Sequence, residues 1–286
     1  MTGSRATPGS SDGSFGSLNA PSVGYVAFSP DFHWNPISSQ YQGGLFWNGR
    51  ATNLEAQAQG PLLNPAEMAM PSAWAVVTRL KENTKYVRLF LEVYGLDLAV
   101  IPAGGFSPAT NPPPGAVAPV YAATAQAIAL FERSPVFNQF TSKFDYWLAG
   151  VATLSSNEMS GYHLFTVKLG CADCHPSTLG VDAAGNVIPP LLSNFTYANV
   201  GLPRNWRIPG TPPPDLGLGG RADIPTNSPD GSELGKHKVV SLRNVAITPP
   251  YGHNGVFSNL QQVVHFYNTR DVLGVVATTR PRRSGT

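Results

Sequence analysis

The chain has 286 residues, with 19 basic against 17 acidic side chains and a formal net charge of +2. That is long enough for two ordinary domains and too nearly neutral to imply nucleic-acid binding or an electrostatic membrane partner. Charged residues make up only 13%, while Gly numbers 29 and Pro 27, so long stretches should run as turns and irregular chain over something rigid. No run of about 18 apolar residues occurs, which excludes a transmembrane helix.

Residues 1 to 44 are rich in Gly, Ser, Pro and Asn, with Tyr25, Phe28, Phe32, Trp34 and Tyr41 scattered at no helical period. Disordered segments are poor in aromatics, so this stretch reads as ordered loop whose rings pack on a helical layer or a cofactor edge. His33 within it reads as a surface or packing histidine. Thr52 and Glu55 stand at capping-box spacing and predict a short helix that carries Gln57. Asn64-Pro65-Ala66-Glu67 predicts a second helix start, with Asn64 as N-cap and Glu67 in the capping position. Helices are predicted at 72–83 and 118–133, separated by the proline-rich loop 111–115, and residues 137–150 close a first unit.

A further capping box at Ser155 and Glu158 opens a helix in which Met159, Tyr162, Phe165 and Leu169 recur at helical spacing up to Gly170. It leads into Cys171-Ala172-Asp173-Cys174-His175. These are the chain's 2 cysteines, and they stand in the C-x-x-C-H spacing of c-type haem attachment. The two thiols can form thioethers with the haem vinyl groups, and His175 then becomes the proximal iron ligand. A thioredoxin-like pair would need a βαβ pattern around it, and a zinc site a second cysteine pair; neither is present. Haem is attached to such motifs outside the cytoplasm, so a periplasmic location is expected. Met1 to Pro8 nevertheless lack the apolar core of a signal peptide, so either an export signal has been removed or the chain is a fragment.

Residues 176 to 240, punctuated by Pro189, Pro190, Pro203, Pro209 and Pro212 to Pro214, read as haem-wrapping coil. Ser258-Asn259-Leu260-Gln261 is a fourth capping box, and Leu260, Val263, Val264 and Tyr267 follow at i, i+3, i+4 and i+7. All four methionines (Met1, Met68, Met70, Met159) precede Cys171, so a downstream methionine ligand is excluded. The downstream candidates for a second axial ligand are His237, His253, His265, Tyr197, Tyr251 and Tyr267. Only Tyr267 lies on the apolar face of a helix long enough to pack on the ring, and His265 points elsewhere. On spacing alone, Tyr267 reads better as an amphipathic core tyrosine. The expected fold is mainly α, with two cytochrome-c-like domains (1–150 and 151–286) and long irregular haem-wrapping loops.

Leu45-Phe46-Trp47-Asn48-Gly49-Arg50, the stretch Leu54 to Glu67, the Cys171 to His175 motif, and the word Ser241-Leu242-Arg243-Asn244-Val245 through Pro250-Tyr251-Gly252-His253-Asn254-Gly255 resemble, in this order, the bacterial di-haem cytochrome c peroxidase and MauG family. The resemblance covers nearly the whole chain. It implies that Trp47 passes electrons between two haems, that Gln57, Pro61 and Glu67 line the distal side of the peroxide-binding haem, and that Arg243 and His253 belong to the haem-binding residues. Asn19, Thr248 and Pro250 match positions that hold a calcium ion with oxygen donors. Tyr267 falls where peroxidases of the family carry an axial methionine and the MauG branch an axial tyrosine. Two departures accompany this. The family's first C-x-x-C-H, which precedes the word seen here as Asn19-Ala20-Pro21, is absent, as is a histidine between Ser4 and Asn19. The chain is therefore expected to begin after that motif and to lack a C-terminal helix, with one haem c site here and two in the full-length protein.

The implied chemistry is reduction of hydrogen peroxide, or peroxide-driven oxidation of a protein substrate. Glu67 would shuttle a proton between the peroxide oxygens, Gln57 would hold the peroxide, and Trp47 would carry electrons from the haem on His175. The implied partners are hydrogen peroxide and a small periplasmic electron donor, either a cytochrome c or a cupredoxin, or else a protein substrate; a homodimer is the assembly to test. Two other readings stand beside this one. A mono-haem electron-transfer cytochrome needs only residues 150–286 and leaves Trp47 to Glu67 without a role, and an inactive fragment fits equally.

Overall fold

Eight α-helices and six very short strands carry the described chain, which in this computed structural model comprises residues 8–107, 113–182, 184–224 and 232–273. The helices are α1 (Leu54–Leu63), α2 (Ala73–Lys81), α3 (Thr84–Tyr94), α4 (Val117–Glu132), α5 (Lys143–Leu148), α6 (Ser156–His163), α7 (Cys171–Cys174) and α8 (Leu260–Leu273). The strands make three antiparallel two-stranded ribbons. These are β1 (His33–Asn35) with β2 (Gln40–Gln42), β3 (Gly180–Val181) with β4 (Val187–Ile188), and β5 (Tyr197–Ala198) with β6 (His237–Lys238). The mainly helical expectation holds.

The main core lies where α2 and α3 meet α4. Val77, Leu98, Ile101, Val117 and Val120 are almost wholly buried there, with Phe90 of α3 packed among them. Ala125 and Ala129, both at zero exposure, let α4 approach α1 closely, and Leu45, Ala51 and Leu54 fill the seam. Small side chains at a helix crossing leave room for the neighbouring backbone, which is why an alanine-rich sequence serves here.

Several expectations about helix starts are corrected. The cap of α1 is Asn53, whose side chain accepts from Ala56 N–H, and not Thr52; Glu55 is drawn away to Arg133, with oxygens 2.5 and 2.9 Å from the guanidinium nitrogens. No helix begins at Asn64. That residue ends α1, and Glu67 lies in a single turn that returns to the helix through Met68 N–H to Pro61 O and Met70 N–H to Leu62 O. The cap of α8 is shifted by one residue: Asn259 accepts from Gln262 N–H, and the Gln262 side chain accepts from Ser258 N–H. The box at Ser155 and Glu158 is present in both directions. Helix α3 is absent from the sequence expectation because it starts three residues after α2 ends, on an Asn83 cap that divides one apolar pattern into two helices.

Residues before 150 and after 190 are stitched together by specific contacts. Tyr197 Oη donates to Gly43 O at 2.6 Å, Gly43 N–H donates to Phe195 O, and Arg221 Nη1 donates to the carbonyls of Asn48 and Gly49. Gly49 sits at φ +67 with the Tyr197 hydroxyl 2.1 Å from where a Cβ would lie, so only glycine fits there. Trp47 joins this seam, its carbonyl accepting from Lys238 N–H.

Candidate haem and redox site

Gly170, in a left-handed conformation at φ +68, turns the chain out of a π-helical turn at Leu164–Lys168 and into α7. One helical turn then brings Cys171 and Cys174 to the same face, and His175 closes it with its N–H on Cys171 O at 3.0 Å. The turn is anchored from outside: Asn194 donates to Cys174 O from its backbone and to Asp173 O from its side chain. His175 Nδ1 lies 2.8 Å from Leu192 O. A carbonyl only accepts, so Nδ1 carries the proton and Nε2 keeps its lone pair. Burial lowers the His175 pKa, against a smaller opposing effect of the Leu192 hydrogen bond, and the imidazole stays neutral. Burial likewise raises both thiols, and both are free.

This donor set fits haem c: two reduced thiols on one face and a neutral imidazole whose ligating nitrogen is defined by a hydrogen bond on the other. The apolar side chains around it agree. Leu169, two residues before Cys171, and Tyr267 are 60% and 49% exposed, which leaves apolar surface free to meet a macrocycle. Tyr267 lies within electrostatic reach of the two thiols. Its phenol is raised by desolvation, lowered by Arg270, and raised further by the nearby thiols of Cys174 and Cys171. His265 is exposed and engages Thr269 only through its carbonyl.

Trp47 is buried, and its Nε1–H donates to Asn19 O at 2.7 Å. Asn19 N–H donates to His253 O, and the Asn19 amide donates to Pro250 O at 2.8 Å and to Gly252 O at 3.4 Å. Asn19 and Pro250 therefore meet, as a shared cation would require. The amide presents its NH2 there, and it would have to turn over for Oδ1 to serve as a donor. Thr248 is exposed and its hydroxyl points back to Asn244 O and Val245 O at 3.4 and 3.5 Å, so the side chain takes no part in this cluster. The His253 ring packs edge-on to Trp47 with centroids 6.3 Å apart, and His237 stacks flat on His253 at 3.5 Å. His237 is fixed by Asp215 Oδ1 at 2.9 Å and by Gly235 O at 3.0 Å. Both of these histidines stood among the candidates for axial ligand; the structure gives them to each other and to Trp47. Burial, reinforced by His237, pushes His253 down to about 3, while the His237 hydrogen bond holds Asp215 below the usual carboxylate range.

Gln57 and Pro61 lie one turn apart on the same side of α1, and Pro61 lacks the N–H that would bond Gln57 O. Glu67 is adjacent through the Met68-to-Pro61 bond, and its carboxylate accepts from the Asn64 amide at 2.9 Å. The turn is pinned by the N-terminal segment: Ser10 N–H donates to Glu67 O and the Ser10 hydroxyl to Met68 O. Arg50, whose guanidinium stacks 3.6 Å from the Phe46 ring centroid, feels both Glu67 and Asp215 electrostatically. Sequence reasoning passed over Arg50, Asp215 and Lys238; a positive charge in an otherwise weakly charged word was the available signal for the first and last.

Arg243 is held in a buried ion pair. Its Nη1 is 2.7 Å from both Asp145 oxygens, and its Nε donates to Pro190 O. Nη2 is buried without a partner among the described residues, so one donor remains for a bound group.

The family model for di-haem cytochrome c peroxidase matches residues 1–153. MauG of Paracoccus denitrificans is 36% identical over 260 residues, covering 89% of this chain and 61% of that protein. Cytochrome c peroxidase Ccp of Escherichia coli is 30% identical, covering 88% and 43%. Among solved structures, the diheme peroxidase BthA from Burkholderia thailandensis superposes with a TM-score of 0.78 at 30% identity, covering 93% of this chain and 61% of its own. The chain thus spans about three-fifths of MauG and of BthA and less of Ccp. With more than half of its length matched by the family model, the chain belongs to the di-haem cytochrome c peroxidase family.

Proposed function

We propose that this chain is the larger part of a periplasmic di-haem peroxidase of the MauG type, which reduces hydrogen peroxide or uses it to oxidise a protein. The observation that carries the reading is the phenol of Tyr267 standing close enough to Cys174 and Cys171 to feel their thiols, on a helix after the motif that carries no methionine. Bound haem supplies the redox-active iron. Cys171 and Cys174 would tether it, and His175 Nε2 and the Tyr267 oxygen would hold its iron. A hard phenolate favours ferric iron over ferrous, which suits the storage of oxidising equivalents. Where a second haem is bound, Glu67 would move a proton between the two peroxide oxygens, Gln57 would orient the peroxide through its amide, and Pro61 would fill the wall beside them. Trp47, held by Asn19, lies in the seam joining these residues to the haem domain and passes electrons across it. Calcium between Asn19 and Pro250 would stiffen that seam, with Thr248 contributing its backbone oxygen.

The domain division at about residue 150, an external cytochrome or cupredoxin donor, and assembly as a homodimer form part of the same proposal. Counting haem per chain by pyridine haemochrome, together with peroxide turnover of the full-length protein, tests it. Two covalent haems and turnover support it; one haem without turnover leaves an electron-transfer cytochrome.

A further inference from the structure

Lys238 is the least expected charge in the molecule. It lies on β6 next to His237, yet the two side chains leave opposite faces of the strand. His237 pairs with Asp215, whereas the Lys238 ammonium donates to Ser29 Oγ and Gly44 O. No carboxylate pairs with it among the described residues, in contrast to Arg243 with its Asp145. Its backbone N–H donates to Trp47 O at 2.8 Å, its Nζ stands 5.5 Å from the Phe195 ring centroid, and Lys238 and Trp47 line the same cavity of 60 Å3. The other titratable group on that cavity is Tyr25, whose hydroxyl donates to Gln139 O and whose phenol burial keeps neutral; the other rings near Trp47 are His253, edge-on to the indole and pushed down to about 3 by burial, and behind it His237, held by Asp215. Burial beside this cavity pushes the lysine down by desolvation to about 7.

We propose that Lys238 sets the charge against which Trp47 is oxidised, the ammonium form holding the indole reduced and the amine form releasing it. This rests on the reading of Trp47 as the residue that passes electrons. In the step concerned, Trp47 gives one electron to a one-electron oxidant derived from hydrogen peroxide. Its Nε1 proton stays on the bond to Asn19 O, so a full positive charge appears on the ring. An ammonium across a cavity this small opposes that charge in a poorly screened interior, whereas an amine does not. Deprotonation should therefore speed electron loss from Trp47 about 10-fold or more. The carbonyl of Gly44 and the hydroxyl of Ser29 stabilise the ammonium, so removing the hydroxyl should shift the transition to lower pH.

The test uses the full-length haem-loaded protein, mixed rapidly with hydrogen peroxide between pH 5.5 and 8.5, following electron loss from Trp47 in parent, Lys238→Met, Lys238→Arg, Ser29→Ala and Trp47→Phe. Ultraviolet resonance Raman of the Trp47 indole, taken as the difference from Trp47→Phe without peroxide, reads the same titration independently of turnover. The parent rate should rise about 10-fold through one transition near pH 7, and the Raman signal should titrate with it. Lys238→Met should be fast and independent of pH, Lys238→Arg slow and independent of pH, and Ser29→Ala should keep both limits with a lower midpoint. A Lys238→Met protein that retains the parent's pH profile overturns the proposal while Trp47→Phe still abolishes transfer. If Lys238→Met does not fold, an unchanged midpoint in Ser29→Ala overturns it. Unaltered transfer in Trp47→Phe would remove the reading of Trp47 itself, and the proposal with it.

Discussion

Replacing Asp145 by Ala should be among the most destabilising single changes in the chain. Asp145 and Arg243 are 98 residues apart in sequence, and their side chains are only 6% and 4% exposed. The carboxylate accepts from Arg243 Nη1 through both oxygens and from the Ser142 N–H and hydroxyl at 2.9 and 2.5 Å, so it also closes the capping box of α5. Truncation leaves the guanidinium buried over the Phe140 ring with Pro190 O as its remaining hydrogen-bond partner, which costs about 3–5 kcal/mol; loss of the cap adds about 1 kcal/mol. That corresponds to a drop of roughly 10 °C in Tm. Thermal unfolding of the haem-loaded protein by circular dichroism measures it. Most of the loss should be recovered when Arg243→Met is added, because the uncompensated charge is then gone. The pH dependence has a definite sign. Burial alone would raise the Asp145 carboxyl; the hydrogen bonds from Ser142 and Arg243 outweigh it and hold the group below its ordinary value. Its contribution is therefore present above about pH 4 and lost as pH falls through the lowered value. A cost under about 1 kcal/mol at pH 7, the scale of an exposed pair, would refute the claim that this pair fastens the two ends of the seam.

Cys171→Ser combined with Cys174→Ser should abolish covalent haem at this motif, read as loss of haem stain from the denatured chain. Glu67→Gln in the full-length protein should slow reaction with peroxide by about 100-fold or more, with little change in stability, because Gln still accepts from the Asn64 amide; unchanged kinetics would leave Glu67 as a turn residue. Tyr267→Phe should alter the spin state and potential of the haem on His175, while His265→Ala leaves both as they are; a parent-like spectrum in the Phe variant would return Tyr267 to a packing role.

How legible the chain was depended on how local each decision is. The C-x-x-C-H word needs no partner to be read, since one helical turn suffices to present both thiols and the histidine. The box at Ser155 and Glu158 was legible for the same reason, being closed within four residues. The start at Asn64 misled because an Asx turn and a helix N-cap use the same side-chain oxygen on a nearby N–H. Here Asn64 Oδ1 accepts from Ala66 N–H, while Met68 and Met70 fold back on α1, so the turn is never propagated. Glu55, placed correctly for a box, was taken by Arg133 from 78 residues away.

By itself, then, the sequence determined the haem-attachment motif, the mainly helical class and the family resemblance. Each is stored in residue identity or in spacing within a few residues. Only the tertiary structure decided which charges are paired. Asp145 found Arg243, His237 found Asp215 and stacked on His253, and Lys238 was left against Trp47 with no carboxylate among the described residues. These outcomes depend on which segments share the seam around Trp47. Burial there sets the energy of each charge far more strongly than sequence neighbours do, because the desolvation cost and the compensating partner both come from residues distant along the chain.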